Sequence, residues 1–294
     1  MINGKVSLRQ FKYSYGTHEK CLEAIKQLKY PDEMECPKCK RLSVFYPVAK
    51  RTAYACKFCG YQIYPLKGTI FEKSTTPLDL WFFAMYLMVQ TRSGTSAKQL
   101  ERRLGVSYKT AHRMFKQIRK LMQEEASLMD GNVEVDETFV GGKGTNRATK
   151  PHFNEIPKEV VFGAVQRGGK LYAKHVPNTG KWTLLEQVSK SVNKDATIMT
   201  DNYAGYRQLS KYGYNHFAVN HGVSEYVRGE IHTNTIEGVW SQLKRGITGV
   251  YRHVSKEYLQ DYVNEYAFRY NHRNSGNMFE VLFKQVVEVK AISK

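Results

Sequence analysis

The chain has 294 residues, with 45 Lys and Arg against 27 Asp and Glu, giving a formal net charge of +18. Its 41% hydrophobic and 13% aromatic content supplies material for real cores and excludes a disordered basic tail. The charge points to a polyanion, and a basic membrane-surface helix fits less well because the basic residues are spread over segments that read as folded.

The first residues (MINGKVSLRQFKYSYG) lack the apolar core of a secretory signal, so a cytosolic chain is expected. The longest apolar run, Leu80 to Val89, is about half of the ~20 residues a spanning helix needs and reads as a buried helix, with no membrane partner. Residues 1–130 hold 23 basic and 11 acidic residues, and residues 131–294 hold 22 and 16, so the first part is the more strongly cationic.

A helical segment (HEKCLEAIKQL) carries Cys21 as an ordinary buried thiol. The other four cysteines form two Cys-x-x-Cys pairs, Cys36 with Cys39 and Cys56 with Cys59, separated by sixteen residues that read as a β-hairpin. Each pair turns tightly enough to aim two thiolates at one ion, the pattern of a structural, four-cysteine zinc ribbon. Disulfides do not suit a cytosolic chain, and a redox site uses a single such pair. Lys38, Lys40, Arg41, Lys50, Arg51 and Lys57 surround the ribbon, with Phe58, Tyr61 and Tyr64 nearby, which leaves nucleic-acid contact and a docking role both open.

Thr76-Pro77 starts a hydrophobic helix that breaks at Ser93-Gly94. A short helix (Ser96 to Leu104), a turn at Gly105-Val106 and a second helix (Ser107 to Ile118) then make a helix-turn-helix pattern. Ala111, Met114, Phe115, Ile118, Leu121 and Met122 form the buried stripe. Tyr108, Lys109, His112, Arg113 and Lys116 occupy the opposite face as candidate DNA contacts, in a stretch (92–120) with nine basic residues and one acid. An ordinary helical hairpin with a solvated face is the alternative.

From residue 132 the pattern becomes β-rich: strands over 132–140, 159–167 and 171–176, a helix over 182–192, a strand over 196–201, a helix over 204–212, a strand over 215–220 and a helix over 236–247. That order is the order of a ribonuclease-H-like fold. The polar, Gly-rich stretch from Gly141 to Asn154 reads as a mobile loop.

Three acids stand out. Asp136 lies on the first strand, Asp201 ends a later one, and Glu237 starts a late helix, with thirty-five residues between it and Asp201. Carboxylates so placed can converge on two divalent cations, which activate water or a sugar hydroxyl and stabilise the oxygen leaving phosphorus. Mg2+ suits such oxygen ligands. Lys244, seven residues after Glu237, lies two turns along the same helix face, where it can hold a phosphate; Arg245 beside it is a further DNA-binding candidate. Each acid also has an ordinary reading. Asp136 is flanked by Glu134 and Glu137, any of which could face solvent, and Glu134 shares its strand face. Asp201 suits a turn, and Asn234 with Glu237 suits a helix-capping box.

These residues carry a family resemblance. VEVDETFVGGK (133–143), TDNYAGYRQL (200–209), HTNTIEGVWSQLKRGITGVYRHVS (232–255) and EYAFRYNHR (265–273), together with the ribbon, resemble bacterial insertion-sequence DDE transposases of the zinc-ribbon, Merlin-related group (ISXO-like). The resemblance runs over residues 20–275. It implies that Asp136, Asp201 and Glu237 are the catalytic acids, holding two Mg2+ or Mn2+ ions, and that Lys244 accompanies them. Some relatives place an asparagine one position later, and position 238 here is Gly, so Glu237 is the third acid. His232 and Asn234 belong to the same motif as candidates for shaping the site.

The expected architecture is α+β and multidomain. It has an N-terminal helix and zinc ribbon (1–75), a helix-turn-helix domain (76–130), a ribonuclease-H-like DDE integrase domain (131–275) and a tail (276–294). The implied activity is binding of terminal inverted repeats, strand cleavage and strand transfer on double-stranded DNA. It would be carried out by a homo-oligomer in the cytoplasm at the nucleoid, with one structural Zn2+ per chain. A domesticated transposase acting as a DNA-binding regulator and a structure-specific nuclease are the rival readings.

Overall fold

The computed structural model describes residues 6–141, 158–219 and 232–288. The stretch read as a mobile loop, 141–154, lies outside the described residues except for Gly141, as do residues 289–294. Among the described residues no helix is long and apolar enough to cross a membrane. Two compact units form, and the chain enters the first of them three times: up to Thr91, over Thr95–Met122, and from Asn274 onward.

The first unit opens with α1 (Leu8–Tyr15) and α2 (His18–Lys29). Ser7 and Gln10 close a capping box at the head of α1. An antiparallel sheet follows, with β1 (Glu33–Glu35), β2 (Leu42–Pro47), β3 (Tyr54–Cys56) and β4 (Gln62–Ile63) in sequential order. The apolar run forms α3 (Leu78–Gln90), buried from Leu78 to Val89 on nearly every side. Its neighbours are α2, α4 (Ala97–Leu104), α5 (Tyr108–Leu121) and α9 (Met278–Glu288). A second capping box, Ser96 with Gln99, starts α4, and Gly105 ends it at φ 65°, a left-handed conformation that costs glycine little. Ser107 then caps α5 through the amide of Thr110.

The segment from 276, expected as a tail, thus holds a helix. Phe279, Leu282, Phe283 and Val286 recur at helical spacing and are buried. Phe279 meets the rings of Phe11, Tyr15 and Phe82, and the Tyr15 hydroxyl donates to Glu280 at 2.6 Å.

The second unit is a five-stranded sheet. Its strands are β5 (Asn132–Val140), β6 (Glu159–Gln166), β7 (Leu171–Val176), β8 (Thr197–Asp201) and β9 (Asn215–Val219), in the order β7-β6-β5-β8-β9. β5, β6 and β7 pair antiparallel, whereas β8 joins β5 in parallel and β9 joins β8 in parallel. Alternation along β5 sends Val133 and Val135 into a core with Leu184 and Val188 of α6 (Lys181–Ser191), Phe162 and Tyr206. The other face packs Val140, Val161 and Val165 against Ile236, Val239, Trp240 and Leu243 of α7 (Asn234–Gly246) and Val263 of α8 (Leu259–Asn271).

The expected helix over 204–212 is instead two 3-10 turns, Ala204–Tyr206 and Leu209–Tyr212. Its buried residues, Tyr206 and Leu209, are three apart, which suits three residues per turn.

Candidate active site

Asp136 sits midway along β5, on the face that α7 covers. The β5–β8 register pairs Glu134 with Met199, and two further residues put Asp136 level with Asp201 at the end of β8. Period-two alternation gives the two aspartates the same face. Burial, then the charges of Glu137 and Asp201, push the Asp136 carboxyl up to about 7, against the hydrogen bond from Trp240. Such crowding of like charge is what a divalent cation relieves.

Asp201 accepts the amide of Tyr203 at 3.0 Å through one carboxylate oxygen. It therefore does shape its turn, and that same bond orients the carboxylate. Glu137 faces the opposite side of the sheet, where the buried Tyr206 hydroxyl donates to it at 2.7 Å.

α7 carries Glu237, which does not form a group of three donors within 4.8 Å with Asp136 and Asp201. Glu237 lies exposed in its first turn, with the Thr233 hydroxyl donating to it at 2.9 Å. Asn234 makes no capping box with it: Thr233 is the N-cap residue, and Asn234 is the exposed first residue of the helix. Trp240, three residues after Glu237 and so adjacent to it on the helix surface, donates its indole N–H to Asp136 at 2.9 Å. Lys244 and Arg245 are exposed further along, and Arg245 also bonds the Ser241 carbonyl of its own helix at 3.1 Å.

Space for the indole comes from Gly163, paired with Asp136 across β5 and β6. A Cβ there would lie 2.4 Å from the Trp240 ring. Gly163→Ala is expected to destabilise the protein by about 1–3 kcal/mol through overpacking and to shift tryptophan emission as the indole leaves Asp136. Thermal unfolding and fluorescence check both.

Asp136 carries a stability signature as well. A carboxyl whose folded pKa is about 7, against an ordinary 3.8, binds its proton more tightly in the folded state. Stability is then highest below the ordinary value, falls as pH rises from there to about 7, and is level above. Asp136→Asn keeps the acceptor oxygen and removes that cost, so the metal-free variant should gain about 2–4 kcal/mol at pH 8. Denaturant unfolding at pH 5 and pH 8 measures it: equal gains at both values would contradict this origin.

The cysteine cluster sits in the first unit. All four sulfurs lie within 4.8 Å of one another, the one such group of three or more donors among the described residues. Cys36 and Cys59 sulfurs are 3.6 Å apart, and those of Cys39 and Cys56 are 3.9 Å apart. A tetrahedron with Zn–S bonds of ~2.3 Å has edges of about 3.8 Å, so the donor set fits zinc. Each turn closes on a left-handed residue, Lys40 at φ 58° and Gly60 at φ 69°. Burial works to raise the Cys56 thiol, but Ser43 and the amides of Cys59 and Phe58 outweigh it and lower the group to about 6.

Of the candidate DNA contacts on α5, Tyr108, Lys109 and His112 are exposed and Lys116 is half-buried. Arg113 is exposed as well, and it donates to Ser74 and Thr76, at 3.3 and 3.4 Å, with its guanidinium 5.7 Å from the Trp81 ring centre.

Sequence reasoning missed the partners of Glu134. This fully buried carboxylate accepts from Arg167 Nε at 2.7 Å, the Thr235 amide at 2.8 Å, the Thr235 hydroxyl at 2.9 Å and the Ile236 amide at 3.1 Å. His232 Nδ1 lies 3.3 Å from it, and the His232 carbonyl accepts from Arg167 at 3.0 Å. The one available signal was the strand face it shares with Asp136.

Residues 128–271 match the ISXO2-like transposase domain, and residues 16–62 match the transposase zinc-ribbon domain. The chain is 27% identical over 274 residues to an uncharacterized protein in transposable element ISH50 of Halobacterium salinarum, covering 87% of this chain and 92% of that protein. Two solved structures are more distant. A pre-cleavage Mos1 transpososome is 10% identical over 71% of this chain and 79% of that one, with a TM-score of 0.28. The Mos1 strand transfer complex is 10% identical over 72% and 79%, with a TM-score of 0.31. The two domain matches lie in order along one chain and together take in about two thirds of it, so the protein belongs to the ISXO2-like transposases that carry a zinc ribbon.

Proposed function

We propose that this transposase binds the terminal inverted repeats of an insertion sequence and catalyses strand cleavage and strand transfer with two Mg2+ or Mn2+ ions held by Asp136, Asp201 and Glu237. The observation that supports the reading is the placement of Asp136 and Asp201 level on adjacent parallel strands, on the face covered by α7, the helix that carries Glu237. A sheet with three antiparallel strands followed by two parallel ones fits a ribonuclease-H-like catalytic domain.

When bound, the ions supply an activated water or 3′-hydroxyl and stabilise the oxygen leaving phosphorus. The chain's own groups do the positioning. Trp240 orients Asp136, the Tyr203 amide orients Asp201, and Lys244 neutralises the phosphate that approaches. Cys36, Cys39, Cys56 and Cys59 hold a structural Zn2+. α4 and α5 act as a helix-turn-helix, presenting Tyr108, Lys109, His112 and Lys116 to DNA, with Arg245 as a contact beside the active site. Arg113 would support α5 from behind, given its bonds to Ser74 and Thr76. Handling two element ends together calls for a dimer or larger assembly on DNA. His232 serves the site through its contacts with Glu134 and Arg167.

The test is incubation with Mg2+ and a labelled duplex carrying the element's own end. Cleavage that leaves a 3′-hydroxyl, followed by joining to target DNA, is the expected result. Cleavage without joining would mark a nuclease, and binding without cleavage a regulator.

A further inference from the structure

We infer that Glu134 is a positioning residue that sets the register of α7 on β5 and thereby fixes where Glu237 stands along the strand that carries Asp136, an inference that rests on the catalytic reading of those two acids. α7 meets β5 at two polar points. Glu134 takes the amides of Thr235 and Ile236, and Asp136 takes the indole of Trp240. Along the strand these points are two residues apart, about 6.7 Å. Along the helix they are four to five residues apart, about 6–7.5 Å. The spans agree, so helix and strand run side by side with both contacts made at once, and Glu237 falls between the two points.

The chemistry of the first point favours register over mere helix stability. A helix start needs acceptors for its first amides, and a local side chain ordinarily supplies them. Here Thr233, the N-cap residue, makes no side-chain cap bond, and Asn234 leaves its side chain exposed. The acceptor comes from a strand about one hundred positions away, and it is a carboxylate, which suits the positive end of the helix dipole. A local cap would serve the helix equally but leave it free to slide along the sheet. Glu134 is itself fixed by Arg167, whose second bond goes to the His232 carbonyl just before the helix. Gly163 leaves room for the other point, so that neither contact displaces its neighbour.

Glu134→Gln keeps the shape, loses the charge and weakens the pin. The full-length protein would be titrated with Mn2+ by electron paramagnetic resonance and calorimetry, alongside hydrogen exchange at Thr235 and Ile236 and DNA cleavage over a Mn2+ series. The expected result is faster exchange at both amides, at least about tenfold weaker Mn2+ binding, and cleavage that recovers to within a few-fold at saturating Mn2+. In a Glu237→Gln background the same change should add little to the loss of Mn2+ affinity, because the two residues act through one ligand. Should Glu134→Gln fail to fold, Arg167→Gln and Thr235→Val carry the test, with Mn2+ binding weakened about threefold. Wild-type affinity for Mn2+ in a folded variant, or an undiminished effect in the Glu237→Gln background, would overturn the role of Glu134 alone. Wild-type protein that neither takes up Mn2+ nor cuts DNA overturns the functional reading instead.

Discussion

Asp201→Asn is expected to lower strand cleavage and strand transfer at least ~10^3-fold, a loss of about 4 kcal/mol of transition-state stabilisation, while binding to the terminal repeat stays within about twofold. The asymmetry follows from position. Asp201 ends β8, and its bond to the Tyr203 amide is one that an asparagine oxygen can also accept. The turn therefore survives, and what disappears is a negative charge beside Asp136. That charge is among the groups pushing Asp136 up, so the variant should also bring the Asp136 carboxyl down from about 7. In the proposed reading DNA is held by cations elsewhere and would lose nothing when one anion goes. A labelled-end cleavage assay and fluorescence anisotropy at two salt concentrations measure the two arms. Loss of binding with cleavage intact would reverse the assignment.

Removal of the structural zinc is the second large effect. A strong chelator, or Cys39→Ser, is expected to unfold the ribbon as a unit. Its strands are three, six, three and two residues long, too short to hold one another without a cross-link. Its buried side chains are few beyond the cysteines: Ser43, Phe45, Ala53, Tyr54 and Ile63. Zinc in comparable small modules contributes about 10–16 kcal/mol, far more than such a core supplies. The loss should spread to α2, since the Tyr54 hydroxyl donates to Glu23 at 2.8 Å. One equivalent of Zn2+ released per chain, with loss of dispersed amide signals from residues 33–63, is the expected result. A ribbon that stays ordered after complete zinc removal would exclude a structural ion.

The parts of this architecture that can be read along the chain are those whose partners are close in sequence. Two thiolate pairs with a hairpin between them are a local pattern. So are the capping box at Ser96, the glycine turn at Gly105, and the alternation that sets Asp136 on a covered face. Order of strands and helices then places Asp201 without reference to any distant contact. What stays illegible depends on pairings across a hundred residues. Glu134 reads as one of three interchangeable acids until Thr235 and Ile236 arrive at it. Asn234 reads as a cap because a free-standing helix would need one, and the sheet supplies a better acceptor. The bonds of Arg113 to Ser74 and Thr76 are equally unreadable from its helix face, since those partners lie nearly forty residues earlier. α9 reads as a tail, because the cover for Phe279, Leu282, Phe283 and Val286, which includes Phe11 and Phe82, lies far earlier in the chain.

The return of α9 to the first unit has a consequence for the order of synthesis. On the ribosome, the ribbon and the helical pair are made first, yet Phe11, Tyr15 and Phe82 wait for Phe279. The sheet that carries Asp136 and Asp201 is translated and free to fold before the first unit can close. A half-made chain therefore has an unfinished first unit. A stop codon upstream of Met278 would leave Asp136, Asp201 and Glu237 in place and still yield a protein with an open aromatic cluster, a substrate for proteases and chaperones.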